Sequence, residues 1–474
     1  MPSYKNRLLE GPILRSLLRL ALPIVAANVL QSAYQIIDAF WVGRLGGAAV
    51  AAVSVSFPVM FLMFAVGAGL SIAGSTLIAQ YVGARNEKMV SHVAGQTMLM
   101  VIASAAVLTV LGYFISPLLL HLMGVTPDVY DGALGFMRVA FFSLAFNFAF
   151  FVFQAIMRSI GRANVPVLIV AATVIGNFVL NPLLIFGWGP IPAFGVMGAA
   201  MVTFITQAMA SITGLIILRR GSHGIHVHWA DFKPDLKHVK RAFALGLPAS
   251  IEMSSRAFGL MVMTFLVTSF GTQTIASYGV GSNVFQVVII QAVGLSMAVS
   301  ALAGQNIGAG NIDRAAAIGR LGAMLGFGVL TCFGVIAFLC AHWLVAFFVP
   351  RDAGVIEEGS RYVRIMALSW GFIGIQFTIS GMFRASGNMV INMVLTMIAQ
   401  WVIQLPVAYL LSKHTSLGSE GIFWSVPITN LATALMMAAV FLQGGWRKKR
   451  LIQDSEHKLA RKVTEDIESN EPRG

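Results

Sequence analysis

The chain has 474 residues, of which 57% are hydrophobic and only 11% carry a charge. A soluble protein of this size needs roughly 25% charged residues to cover its surface, so an ordinary water-soluble fold is excluded. The net charge of +13 would suit a nucleic-acid binder, but the basic residues are scattered over loops and tails, and no nucleic-acid partner is expected.

The apolar residues gather into twelve long stretches. A bilayer core about 30 Å thick is crossed by roughly 20 apolar helical residues. Spans are therefore predicted near 16–42, 50–80, 91–122, 130–159, 164–187, 194–219, 242–269, 274–304, 316–348, 358–383, 389–412 and 417–443. The fold class is all-α, a polytopic membrane protein embedded in a lipid bilayer. The first stretch lacks a small-residue cleavage pattern after a short apolar core, so it is expected to stay as a span. Of the 32 Lys and Arg residues, 25 fall on one side of this topology, which the positive-inside rule makes cytoplasmic. Both termini are then expected in the cytoplasm.

In chain order, the first span carries LQSAYQIIDAFWVG, residues 30–43, with Gln31, Gln35 and Asp38 at i, i+4 and i+7 and Tyr34 beside them. These residues share one helical face. Of 19 acidic residues 17 sit in loops, near span ends or in the tail, and only Asp38 and Glu252 lie well inside spans. A carboxylate at mid-helix costs about 2.5–3.5 kcal/mol on insertion scales, so it persists where it meets a polar cavity or partner. Asp38 is thus a candidate to take up and release a proton, or to hold a small cation with neutral oxygens.

The fifth span adds Asn177 and Asn181, again i and i+4, with Pro182 next to them, and the sixth adds Thr203 after the small residues of GVMGAAM. Asp38, Asn177, Asn181 and Thr203 together offer the oxygen ligands of a Na+ site or the groups of a proton relay. The polar stretch at 220–241 reads as a cytoplasmic linker. Its His223, His226 and His228 read as solvated loop residues rather than a metal site. In the seventh span Glu252 and Arg256 are i and i+4 and can pair, as a structural ion pair or as lining of a substrate cavity. Cys332 and Cys340, in the ninth span, are about 12 Å apart along a helix and beyond disulfide reach. The end of the chain, 444–474, reads as a charged, weakly ordered tail.

The chain also repeats. At an offset of 225 residues Pro23 meets Pro248, Gly46 meets Gly271, Gly69 meets Gly294, Ser71 meets Ser296, Gln80 meets Gln305 and Gly83 meets Gly308. At 226, Arg158 meets Arg384 and Gly161 meets Gly387. A six-span unit returns to the side it left, so the halves are expected to be parallel and pseudo-symmetric, arranged around a central cavity. The expected organisation is a terminus at 1–15, a first lobe at 16–219, the linker at 220–241, a second lobe at 242–443 and the tail at 444–474. Met263 and Arg256 stand where Asp38 and Gln31 would recur, so the coupling site is expected in the first half alone. The sequence contains no P-loop, dinucleotide fingerprint, nucleophile elbow or zinc-type Cys/His spacing. Neither an enzyme nor a nucleotide-driven pump is indicated, and no cofactor is expected.

The two halves, the ALP and GLP openings, DAFWVGRLG after the first span, GQNIGAGN after the eighth and NFVLNPLLIFG in the fifth resemble the multidrug and toxic compound extrusion (MATE) family, in its DinF-like prokaryotic branch. The resemblance covers about residues 14–443. It implies a secondary antiporter in a prokaryotic inner membrane, exporting small amphipathic, often cationic organic compounds in exchange for H+ or Na+, and acting as a monomer. It places the coupling site at Asp38, Tyr34, Gln31, Asn177 and Thr203, with Pro23 as the bending proline. Many relatives carry a second Asp where this chain has Asn181. An acid that another branch uses in the seventh helix aligns with Arg256. Two other functions share the sequence features: a lipid-linked oligosaccharide flippase, for which Arg138 and Arg256 would meet phosphates, and a passive channel.

Overall fold

The computed structural model describes residues 5–221, 224–350, 352–448 and 451–452. His223 and most of the expected tail, from 453 onward, lie outside the described residues. The elements are almost all helical: α1 Lys5–Glu10, α2 Ile13–Gly43, α3 Gly47–Gly83, α4 Glu87–Leu122, α5 Pro127–Ser159, α6 Asn164–Phe186 and α7 Gly195–Arg220 in the first half. After a short 3-10 turn at Trp229–Phe232 come α8 Leu236–Thr268, α9 Thr272–Gly308, α10 Ile312–Phe348, α11 Ala353–Ala367, α12 Trp370–Ala385, α13 Met389–Met397, α14 Leu405–Lys413 and α15 Ser419–Gln443. Among the described residues eleven helices are long and apolar enough to cross a membrane, counting α13 to α14 as one, and twelve when α11 and α12 are taken as a single bent span. Large apolar side chains such as Leu168, Phe265, Leu339 and Phe347 stand exposed on the helix surfaces, which suits lipid rather than water.

Helix ends follow from local chemistry. The Asn86 side chain caps α4 by accepting from the Met89 N–H at 3.1 Å, and Asp352 caps α11 in the same way through Val355 at 3.1 Å. Gly46 and Gly271, which precede α3 and α9, have φ of 106° and 98°, values that L side chains rarely adopt. The internal repeat is thus a repeat of backbone geometry. Gly161 and Gly387 extend it, with φ of 83° and 76° after α5 and α12.

The tenth predicted span, expected as one helix over 358–383, is broken between Ala367 and Trp370 with a bend of 51°. Ser369 turns its hydroxyl onto the Met366 carbonyl at 2.8 Å, a local bond that competes with helix continuation. The eleventh contains a π-helical stretch, Ile398–Gln404, inside which the Trp401 indole N–H donates to Ser255 at 2.7 Å. The start of the expected tail is ordered: Trp446 is buried, stacks on Phe441 and donates to its carbonyl at 3.0 Å.

By compactness the chain divides into two units, residues 26–250 and residues 1–25 with 251–474. The divisions fall inside α2 and α8. In the first unit Gly69 of α3 lies against the first half of α8, where an added Cβ would stand 2.6 Å from the Ser250 nitrogen. In the second unit Gly294 of α9 lies against the first half of α2, where a Cβ would meet Val25 at 2.6 Å. The two contacts are equivalent under the 225-residue repeat. Small residues here let helix backbones approach closely, the packing that membrane helices rely on.

The linker is fastened to α4 within the first unit. Gln96 donates to the carbonyls of Asp231 and Lys233 at 2.7 and 2.6 Å and accepts from the Asp235 N–H at 3.0 Å. A hydrogen bond from the His238 ring holds the Asp235 carboxyl down to about 2, with help from the backbone N–H groups of His238 and Lys237.

Candidate functional site

The polar face of α2 meets α6 and α7. Asn177 and Asn181, one turn apart on α6, both donate their amide N–H groups to the same oxygen of Asp38, Oδ1, at 2.7 and 2.8 Å. Both asparagines are fully buried, and the oxygen of each amide is buried without a hydrogen-bond partner. Asp38 itself is half-buried, five residues from the end of its helix. Pro182, inside α6, removes a backbone N–H directly beside this cluster.

One turn back on α2, the Tyr34 hydroxyl lies 2.8 Å from the Thr206 hydroxyl and donates to Thr203 at 3.3 Å. Asn177 is also within reach of that hydroxyl, so the tyrosine group and the carboxylate group adjoin. Helix α7 can come this close because Gly198 packs on the α6 backbone, where a Cβ would stand 2.5 Å from the Leu184 carbonyl oxygen.

The structure therefore brings together Asp38, Asn177, Asn181, Tyr34 and Thr203. Gln31 is half-buried one turn earlier, without a hydrogen bond to the cluster, and Gln35 is exposed. Thr206 was not singled out by sequence reasoning, although its place three residues after Thr203 sets it on the same face. Pro23 lies inside a continuous α2, near its first third.

Glu252 is buried on α8 at 1% exposure. Its Oε1 lies 3.4 Å from Arg256 and 3.3 Å from Arg384, and Asn392 donates to its Oε2 at 2.7 Å. Arg256 also donates to Thr396 at 3.4 Å and sits 5.4 Å from the centre of the Phe377 ring. The expected pair is thus one edge of a larger network. Arg384, Asn392 and Thr396 are missed by a search that stays on one helix. Met263, the repeat counterpart of Asp38, is fully buried in an apolar cluster with Val267, Tyr362, Ile422 and Phe423. No second copy of the Asp38 site exists at that position. Arg138, the other arginine of the flippase reading, lies 4.6 Å from the centre of the Tyr113 ring.

A repeated bundle of membrane-crossing helices with a half-buried carboxylate set into a helix of its first half is the architecture of a polytopic membrane transporter. The MatE family model matches residues 23–183 and 248–410, once in each half. The chain is 30% identical over 459 residues to the probable multidrug resistance protein YoeA of Bacillus subtilis, a match that covers 95% of this chain and 99% of that protein. It is 27% identical over 446 residues to the probable multidrug resistance protein NorM of Thermotoga maritima, with 93% and 94% covered. Among solved structures, the outward-facing conformation of a multidrug resistance MATE family transporter of the MOP superfamily shares the fold with a TM-score of 0.88 at 23% identity, covering 95% of this chain and all of that one. The protein belongs to the MATE family of membrane transporters.

Proposed function

We propose that this transporter exports amphipathic, often cationic organic compounds across a prokaryotic cytoplasmic membrane, as a monomer with both termini inside, in exchange for protons bound at Asp38. The multidrug resistance proteins to which it is similar support the substrate class. The observation that carries the coupling is the double donation to Asp38 Oδ1. Two amide N–H groups on one oxygen stabilise the ionised carboxylate and leave Oδ2 as the atom that can take a proton. For Na+ at the same place, both amides would have to turn their oxygens toward the ion. The orientation thus favours H+ over Na+.

A proton on Asp38 and a cationic drug nearby are alternatives, because each neutralises the same charge. Exchange follows when the two conformations of the transporter differ in their affinity for the proton. Pro23 gives α2 a place to bend, since its ring removes one rung of the hydrogen-bond ladder. The network around Glu252 serves packing in this reading: its carboxylate is enclosed by two arginines and an asparagine, not presented to a cation. The flippase reading draws less support, because Arg256 and Arg384 both face Glu252 and Arg138 lies over Tyr113.

Everted membrane vesicles energised separately by a pH gradient or a Na+ gradient test the proposal. A pH gradient should drive uptake of a cationic dye, and Asp38→Asn should abolish it with the protein still present in the membrane. Undiminished uptake by that variant, or drive by Na+ alone, would overturn it.

A further inference from the structure

At the end of α4 nearest the linker, three potential ligands converge that the transport reading does not use. His92 lies in the second turn of α4, Asp235 immediately precedes α8, and His238 is in the first turn of α8. One Asp235 oxygen, Oδ2, lies 2.9 Å from Nδ1 of His238 and 3.5 Å from Nε2 of His92, and all three ligand atoms fall within 4.8 Å of one another. Ligands about 2.0–2.2 Å from a tetrahedral zinc ion stand roughly 3.4 Å apart, so the Asp235–His238 spacing has to widen by about half an ångström and the Asp235–His92 spacing already fits.

The surroundings orient these groups. The other Asp235 oxygen, Oδ1, accepts from the Lys237 N–H at 3.0 Å, which leaves Oδ2 turned to the two rings. The second nitrogen of His92, Nδ1, lies 3.8 Å from Asp231, placing a carboxylate behind the ring where metal-bound histidines commonly have one. On His238, Nδ1 is the nitrogen turned to Asp235, and Nε2, the other nitrogen of the ring, is buried with no hydrogen-bond partner. The two rings meet edge to face at 5.0 Å. Each ligand residue is partly exposed, between 20% and 34%, so an ion has a way in and a water can complete the coordination.

We propose that His92, Asp235 and His238 form a divalent transition-metal site of the zinc class that clamps the linker between the two halves onto α4. Two imidazoles and one carboxylate select a borderline ion such as Zn2+ over Mg2+ or Ca2+, which prefer all-oxygen shells. The clamp joins residues that Gln96 already holds. Metal binding would therefore tighten an existing attachment, and zinc levels on the linker side would set how firmly it is held.

The test uses the full-length protein with any affinity tag removed, in lipid nanodiscs, titrated with Co2+ as a spectroscopic stand-in and then with Zn2+ in competition. One equivalent of Co2+ should give the strong visible absorption of a tetrahedral site, Zn2+ should displace it, and Zn2+ should raise the melting temperature. His92→Gln and His238→Asn should each weaken binding at least tenfold and remove the thermal shift. His226→Asn with His228→Asn, a stacked pair elsewhere in the linker, should change neither. Monodisperse elution establishes that each variant is folded, and His92→Asn or His238→Gln replaces the variant at its own position that fails it. Absence of stoichiometric binding, binding that survives loss of His92 or His238, or binding lost with His226 and His228 would overturn the proposal.

Discussion

Asn181 donates its amide to Asp38 at 2.8 Å, while the oxygen of the same amide is buried and unpaired. The asparagine acts on the carboxylate as a donor only. A hydrogen bond to a charged group contributes about 1.5–3 kcal/mol, and 1.4 kcal/mol corresponds to a factor of ten. Asn181→Leu should therefore lower proton-driven efflux roughly tenfold or more with membrane abundance unchanged. Initial rates in everted vesicles measure it, and a wild-type rate would show that Asn177 alone suffices.

Tyr34 and Thr206 share a 2.8 Å hydroxyl contact, and Thr206 also bonds the Val202 carbonyl at 2.9 Å. Tyr34→Phe and Thr206→Val should each cost about 1 kcal/mol. Because the two changes remove the same bond, the double variant should cost less than their sum. Thermal unfolding of the purified protein gives the comparison, and strict additivity would mean that the hydroxyls do not interact.

Removing one partner from the Glu252 network leaves a buried charge uncompensated. Glu252→Gln places two arginines near each other without their carboxylate and should destabilise by about 3–5 kcal/mol. Adding Arg384→Met should recover part of that loss. Thermostability followed by size-exclusion chromatography would reveal it, and a double variant weaker than Glu252→Gln would count against a shared network.

The glycines separate into those needed for space and those that are not. Gly69→Ala forces a Cβ onto the Ser250 backbone and should cost about 1–3 kcal/mol. Gly328, inside α10 with nothing within 4 Å of an added Cβ, should tolerate Ala and gain about 0.5–1 kcal/mol. Melting temperatures of the two variants should move in opposite directions.

Much of this was legible in the sequence because polar atoms are conspicuous in an apolar helix. Asp38, Asn177 and Asn181 announce themselves by helical spacing, and Gly46 and Gly271 repeat because both need positive φ. Thr206 was not legible, since a hydroxyl that bonds its own helix looks like any other threonine. Arg384 and Asn392 sit more than 130 residues from Glu252, and nothing in the one-helix pattern of Glu252 and Arg256 points to them. The bend at Ser369 depends on a single side-chain bond to Met366 in a stretch that is apolar throughout. His92 and His238 belong to different helices and become neighbours only when the linker folds back on α4.

The paired contacts of Gly69 with Ser250 and of Gly294 with Val25 mean that the halves have exchanged arms. The first part of α2, up to Val25 and about three and a half turns long, completes the unit built from the second half, and the first part of α8, up to Ser250, completes the unit built from the first. A chain severed in the linker would leave both fragments short of a helix end that their own packing requires. Such fragments should fold only when made together, and a lone half could complete itself only by lending its arm to a second copy.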